Sequence, residues 1–230
     1  MIKTNEEIEK LKKASSLADE CFEYICNTIK IGMTEKEIAN LMDDYMLSNG
    51  ATKLAFETIV GSGANSSQIH STPTDRKIQH GDIILLDFGC VVDEYCSDIS
   101  RTIFVGEAKE EYKKVYDIVL ESQFKGVSKI TDGMTTKEAD AVCREVIQAN
   151  GFDFAHAVGH GIGKEVHEEP VLSPRRDDVK LQNGMAFTIE PGIYLENKFG
   201  VRIEDTVILK DGKVIPLNKA TKEIKIIRSV

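Results

Sequence analysis

Residues 85–102 read LLDFGCVVDEYCSDISRT, an apolar run closing on Asp87, a turn signal at Asp93-Glu94, and a second aspartate, Asp98, eleven residues after the first. If Asp93-Glu94 turns a hairpin, residue 89 faces 98 and residue 87 faces 100. Asp87 and Asp98 then share one face as diagonal neighbours, about 7–8 Å apart. Ile83 to Leu86 is apolar without interruption, the pattern of a strand buried on both faces, so Asp87 is expected away from bulk water. A carboxylate in that position is costly unless it is paired or binds a metal.

Further out, the chain repeats itself. GMTEKE at 32–37 returns as GMTTKE at 133–138, and Asn49-Gly50 returns as Asn150-Gly151. VGSG at 60 echoes VGHG at 158, and GDIILLDFG from 81 runs parallel to GMAFTIEPG from 184, which sets Asp87 against Glu190. An echo of this length implies two structurally related halves, at a period far too long for a solenoid.

Each half contains a capping-box signal, Thr34 with Glu37 and Thr135 with Glu138, in which hydroxyl and carboxylate satisfy the first-turn amides. Ile38, Leu41, Met42 and Tyr45 follow at helical spacing, and Asn-Gly closes each helix. A longer helix precedes each one. Thr4 and Glu7 cap the first, and the second is predicted over 109–130. Their apolar stripes are core-facing. Segments rich in Val, Ile and Phe predict strands at 55–60, 83–92, 95–105, 153–158, 185–190 and 201–209. The expected fold is α+β with two pseudo-two-fold halves, its sheet covered by helices.

Composition narrows the class. With 230 residues, 41% of them hydrophobic, the chain can bury a full core. Its net charge of -9 disfavours nucleic acid or an anionic membrane surface as the main partner. The five cysteines, Cys21, Cys26, Cys90, Cys96 and Cys143, are odd in number and form no Cys-x-x-Cys pair, which points away from disulfide frameworks and thiolate zinc sites and toward a reducing compartment. The N-terminus has no signal-like apolar region, and no run approaches the roughly 18 apolar residues of a membrane span. A cytoplasmic location is expected.

In the second half, Glu190 and Glu204 share a face about a turn centred near Asn197. If the halves face each other, four carboxylates meet in one cavity and repel unless neutralised. Arg101 and Arg202 can pair with some of them, not all. AHAVGHGIGKEVHEEP brings His156, His160 and His167 close together among glycines, which predicts one imidazole as a ligand and the others as proton donors. His70 lies on a polar loop, and the sequence leaves its role open; His80 is read as a turn residue. Four carboxylates and one imidazole neutralise two divalent cations and suit manganese, cobalt, iron or zinc. Two such ions about 3.5–4 Å apart bridge and activate a water. GHGIGK lacks the spacing of a P-loop, GSG at 61 is no nucleophile elbow, and HEEP is not H-E-x-x-H.

Taken together, LDFGCVVDEYCSDISRT, VGHGIGKEVHEEP, FTIEPGIY and GVRIEDT make the chain resemble the creatinase/aminopeptidase, or pita-bread, family over nearly its whole length. Within that family it is most similar to the catalytic domain of Xaa-Pro peptidases, aminopeptidase P and prolidase. The resemblance implies a curved antiparallel sheet and five dinuclear metal ligands: Asp87, Asp98, His160, Glu190 and Glu204. It implies two divalent ions, manganese first, with cobalt, zinc or iron as alternatives. It also implies that Glu190 deprotonates the bridging water, that His70, His156 and His167 bind substrate and stabilise the tetrahedral intermediate, and that Arg202 supports Glu204 or the substrate. The implied substrate is a peptide or dipeptide with proline second, from which the N-terminal residue is released. The chain is read as one catalytic domain over 1–230 with no separate N-terminal domain, and a homodimer is an allowed arrangement.

Methionine aminopeptidase shares the fold and GHGIG with HEEP and is the main alternative; PGIY and GVRIEDT favour the proline branch. Creatinase-type amidinohydrolases work without metal and lack several of these ligands. A non-catalytic binding module of this fold is the remaining reading, and the intact ligand set argues against it.

Overall fold

The computed structural model describes residues 1–228. The first half opens with helix α1 (Asn5–Thr28) and helix α2 (Glu35–Ser48). Both begin with full capping boxes, Thr4 with Glu7 and Thr34 with Glu37. Strands β1 (Lys53–Leu54) and β2 (Ile59–Ser62) lead through a short 3-10 turn at Gly63–Ser67 to β3 (Ile83–Phe88), β4 (Cys90–Val92), β5 (Tyr95–Cys96) and β6 (Ile99–Val105). The second half repeats the plan with α3 (Glu110–Lys129) and α4 (Thr136–Ala149), the latter capped by Thr135 and Glu138. Then come β7 (Gly159–Gly161), β8 (Glu168–Leu172), β9 (Ala186–Ile189), β10 (Gly192–Leu195), β11 (Phe199–Arg202), β12 (Asp205–Lys210), β13 (Lys213–Pro216) and β14 (Ile226–Ile227).

The central hairpin has the register set by its turn. Val92 faces Tyr95 and Asp87 faces Ser100, and Asp93 and Glu94 both take positive φ, 50° and 71°, as the tight turn between twisted strands requires. Gly89, between β3 and β4, has to be glycine because a Cβ there would lie 2.0 Å from the Ser97 carbonyl oxygen. In the second half Ile189 faces Asp205 and Gly192 faces Arg202 about Asn197, whose φ is 58°. That register carries Glu190 opposite Glu204.

Helices α1 and α2 close an apolar core over β2, β3 and β6, with Phe22, Ile25, Ile38, Met42 and Leu86 fully or almost fully buried. Helices α3 and α4 do the same over the second-half strands with Val119, Cys143, Ile147, Phe187 and Val207. Two sheets dominate, in the orders β14-β6-β3-β2 and β13-β12-β9-β7-β8. Pairing is antiparallel except that β14 joins β6 in parallel, so Ile226 and Ile227 return to the first-half sheet. The halves are stitched where Glu204 N donates to Ser100 O at 3.1 Å and Thr102 Oγ1 donates to Arg202 O at 3.0 Å. A buried ion cluster backs this seam: Arg101 Nη2 contacts Asp205 Oδ1 at 2.7 Å, and Lys222 pairs with the other Asp205 oxygen. The repeat is literal at the helix entries. Thr34 bridges Lys77 as Thr135 bridges Lys180.

Several predicted strands change. Residues 153–158 are not a strand. Arg144 stacks on Phe154 with its guanidinium carbon 4.1 Å from the ring centroid, and it donates to the carbonyls of Phe154 and His156 at 2.6 and 2.9 Å. Those carbonyls are thereby taken from any strand partner. Residues 55–58 are likewise irregular, the 201–209 segment breaks at Ile203-Glu204, and β1, β7, β8, β10, β13 and β14 are additional. All five cysteines are buried and unpaired. Among the described residues no helix is long and apolar enough to cross a membrane.

Candidate metal centre

The nine residues singled out in the sequence, Asp87, Asp98, His160, Glu190, Glu204, His70, His156, His167 and Arg202, all line one cavity of about 860 Å³. Each carboxylate sits at a strand end or break: Asp87 near the end of β3, Asp98 just before β6, Glu190 just after β9, and Glu204 between β11 and β12. His160 is the middle residue of β7. Gly159 before it is obligatory, because a Cβ would lie 1.9 Å from the Thr188 carbonyl oxygen on β9.

His160 Nδ1 donates to the Gly161 carbonyl at 3.0 Å, leaving Nε2 as the inward nitrogen. Nε2 lies 3.4 Å from Asp98 Oδ2 and 3.4 Å from Glu190 Oε1. Donor atoms of Asp98, His160 and Glu204 lie within 4.8 Å of one another, so the three form a cluster able to coordinate a metal ion. Thr188 steadies His160 and the neighbouring Glu190, accepting from His160 N and donating to Glu190 Oε1, each at 3.1 Å.

Arg202 is 2% exposed and ion-paired with Asp87. Its Nε donates to Ser100 Oγ at 2.8 Å, and Ser100 in turn donates to Glu204 Oε2 at 2.6 Å. Arg202 therefore touches Asp87 directly and Glu204 only through Ser100. Its Nη1 donates to the Tyr194 hydroxyl at 2.8 Å, and that hydroxyl lies 3.0 Å from His156 Nε2. His156 Nδ1 donates to the Ala157 carbonyl at 2.7 Å, so Nε2 is the acceptor for Tyr194 and both ring nitrogens are engaged. Among the described residues no hydrogen bond engages the side chains of His70 or His167, which face the cavity. The His167 ring stands 4.3 Å from that of His160, centroid to centroid.

Electrostatics follow from crowding. Burial, joined by neighbouring carboxylates, raises Asp87 against the pull of Arg202, raises Asp98 to about 7, and raises Glu204 well above its ordinary value. Burial alone lowers an imidazole, but the bond to Asp98 and the charges of Glu190 and Asp98 outweigh it and raise His160 to about 9. Burial lowers His156 and His167. Asp87 Oδ1 and Glu204 Oε1 are buried without any hydrogen-bond partner. Oxygen donors lacking protein partners, among carboxylates that raise one another's pKa, fit a divalent cation.

Ser100, Thr188 and Tyr194 escaped the sequence reading. Ser100 carried a signal, since the hairpin register already set it opposite Asp87. Tyr194 closes the FTIEPGIY motif, but nothing in that stretch names His156 and Arg202 as the partners of its hydroxyl.

The sequence matches the model of metallopeptidase family M24 over residues 9–211. It is 42% identical over 226 residues to the Xaa-Pro dipeptidase of Pyrococcus furiosus, an alignment covering 97% of this chain and 65% of that protein. Among solved structures, the Xaa-Pro dipeptidase of Bacillus anthracis superposes with a TM-score of 0.96 at 44% identity, covering 98% of this chain and 64% of that one. The X-Pro aminopeptidase of Thermotoga maritima MSB8 superposes with a TM-score of 0.95 at 44% identity and the same coverage. The chain thus spans just under two thirds of the length of these relatives.

Proposed function

The chain belongs to metallopeptidase family M24, and from that premise we propose that it forms a single catalytic domain of a metal-dependent exopeptidase, releasing the N-terminal residue that precedes a proline. The observation carrying this reading is the convergence of four carboxylates and one tautomer-fixed imidazole, with Asp87 Oδ1 and Glu204 Oε1 left without protein partners. Asp87, Asp98, His160, Glu190 and Glu204 would hold two divalent ions, manganese first, with cobalt, zinc or iron as alternatives. Bound there, the ions supply Lewis-acid polarisation of the scissile carbonyl and a nucleophile available at neutral pH.

The protein groups divide the remaining work. Glu190, oriented by Thr188, takes the proton of the attacking water. Like any amide nitrogen, the proline nitrogen must gain a proton to depart as an amine, and His167 beside His160 carries one to it. His70 contacts the substrate from the opposite loop. His156, with both nitrogens engaged, holds Tyr194 and through it Arg202, which aligns Asp87. Phe56, Ile59, Ile69, Pro73 and Val171 supply apolar wall suited to the proline ring.

The test is hydrolysis of Ala-Pro, Arg-Pro-Pro and Met-Ala-Ser by metal-stripped protein resupplied with manganese, cobalt or zinc. Metal-dependent release at Xaa-Pro alone is expected. Preference for Met-Ala-Ser would transfer the chain to the methionine aminopeptidase branch, and absence of both metal binding and hydrolysis would make it a binding module.

A further inference from the structure

GMTEKE and GMTTKE differ at one position, Glu35 against Thr136, and the structure gives that difference a purpose. Glu35 is the first residue of α2 and is 0% exposed, yet among the described residues no cation touches it directly, and Arg76 reaches it only through the Ser62 hydroxyl. Its Oε1 accepts from Ser62 N at 2.7 Å and Ser62 Oγ at 2.6 Å; its Oε2 accepts from Thr74 N at 3.0 Å and Thr74 Oγ1 at 2.6 Å. Asn65 Nδ2 spans both oxygens at 3.0 and 3.1 Å. The helix N-terminus favours a negative charge there, and charge strengthens every one of these bonds. In the other half Thr136 makes a single comparable bond, Oγ1 to Arg176 O at 2.6 Å.

Ser62 and Thr74 are the two ends of one excursion. Between them lie Ser66, whose hydroxyl accepts from Gly200 N at 2.9 Å, Ile69, whose carbonyl accepts from Arg202 Nη1 at 3.3 Å, and His70, which faces the cavity. We infer that Glu35 is a positioning residue, a carboxylate staple that closes the 62–74 loop and thereby fixes Ile69 and His70 against the substrate. The inference rests on the active-site reading above insofar as it assigns His70 to substrate.

Glu35→Gln keeps the shape but turns one acceptor into a donor facing donors, so one end of the loop is released; Thr74→Val removes the hydroxyl bond to Glu35, together with those the hydroxyl accepts from Asn65 Nδ2 and Arg76 N, and leaves Glu35 in place. The expected result in both is selectively faster hydrogen exchange at 63–74, by about tenfold, with α1 and α3 unchanged. KM for an Xaa-Pro tripeptide rises about tenfold in Glu35→Gln, with kcat within about threefold and metal affinity unchanged. Adding His70→Ala to Glu35→Gln raises KM no further than His70→Ala alone. Unchanged exchange in the loop, or exchange accelerated equally throughout both variants, would overturn the staple. If the wild type cleaves no Xaa-Pro peptide, the active-site reading fails while the exchange measurement still decides the staple.

Discussion

Ser100 donates its hydroxyl to Glu204 Oε2 at 2.6 Å while accepting Arg202 Nε at 2.8 Å, so one small side chain on β6 sets the angle of a carboxylate from the other half of the chain. Removing that hydroxyl leaves Glu204 free to turn. Ser100→Ala is expected to weaken metal binding about tenfold, measured by competition against a chromophoric chelator. Wild-type affinity in the variant would mean that the backbone between β11 and β12 alone orients Glu204.

His160 and Glu190 separate holding the metal from using it. His160→Ala is expected to lower both metal content and turnover, because its Nε2 is the cluster's one nitrogen donor. Glu190→Gln keeps the shape but cannot take a proton, so turnover falls by at least about a hundredfold while metal content falls less. Elemental analysis beside a peptide-release assay distinguishes the two, and substantial turnover in Glu190→Gln removes it as the base.

Metal-stripped protein carries a pH signature. Asp98 is raised to about 7 and His160 to about 9, so the folded state holds protons that the unfolded chain has released, on Asp98 up to about pH 7 and on His160 up to about pH 9, and stability falls as pH rises through these values. His156 and His167 are lowered, so their opposing contribution is gained near the ordinary histidine value and fades as pH rises beyond about 7. The thermal midpoint of stripped protein is expected to drop between about pH 7 and pH 9, and added manganese to raise it more at the upper pH. A midpoint that climbs over the same interval contradicts the assigned protonation.

Substrate length is read from cations. Arg202 is the one lysine or arginine lining the cavity among the described residues, and Asp87, Ser100, Tyr194 and the Ile69 carbonyl use it up. At the rim Lys3 is held by Glu168 at 2.6 Å and Arg176 by Glu169 at 3.0 Å. A dipeptide brings its carboxylate into this acidic surround with no unpaired protein cation to receive it. Ala-Pro-Ala is therefore expected to exceed Ala-Pro by about tenfold in kcat/KM; equal values would show that the metals or histidines receive the carboxylate.

How far the sequence could be read follows from the range of each interaction. Asp87 and Asp98 were legible because a two-residue turn fixes hairpin register locally, and Asp87 does face Ser100. The capping boxes at Thr4, Thr34 and Thr135 were legible for the same reason: donor and acceptor lie three residues apart. Residues 153–158 were misread because what decides them is Arg144, a side chain on α4 that claims their carbonyls. Tyr194 and Glu35 were missed because a buried hydroxyl or carboxylate takes its meaning from partners far along the chain, and periodicity carries no information about those.

The parallel pairing of β14 with β6 also bears on the order in which the molecule can close. The outer edge of the first-half sheet takes Ile226 and Ile227 as its neighbours, and Ile226 pairs with Phe104, far earlier in the sequence. Contacts so distant along the chain are slow to form, whereas α1, α2, β3 and β6 lie close together in sequence and share one core. Until β14 docks, β6 offers its unpaired backbone to other chains. A partly folded molecule thus carries an early hydrophobic nucleus with an open seam, and association through that seam is its characteristic hazard.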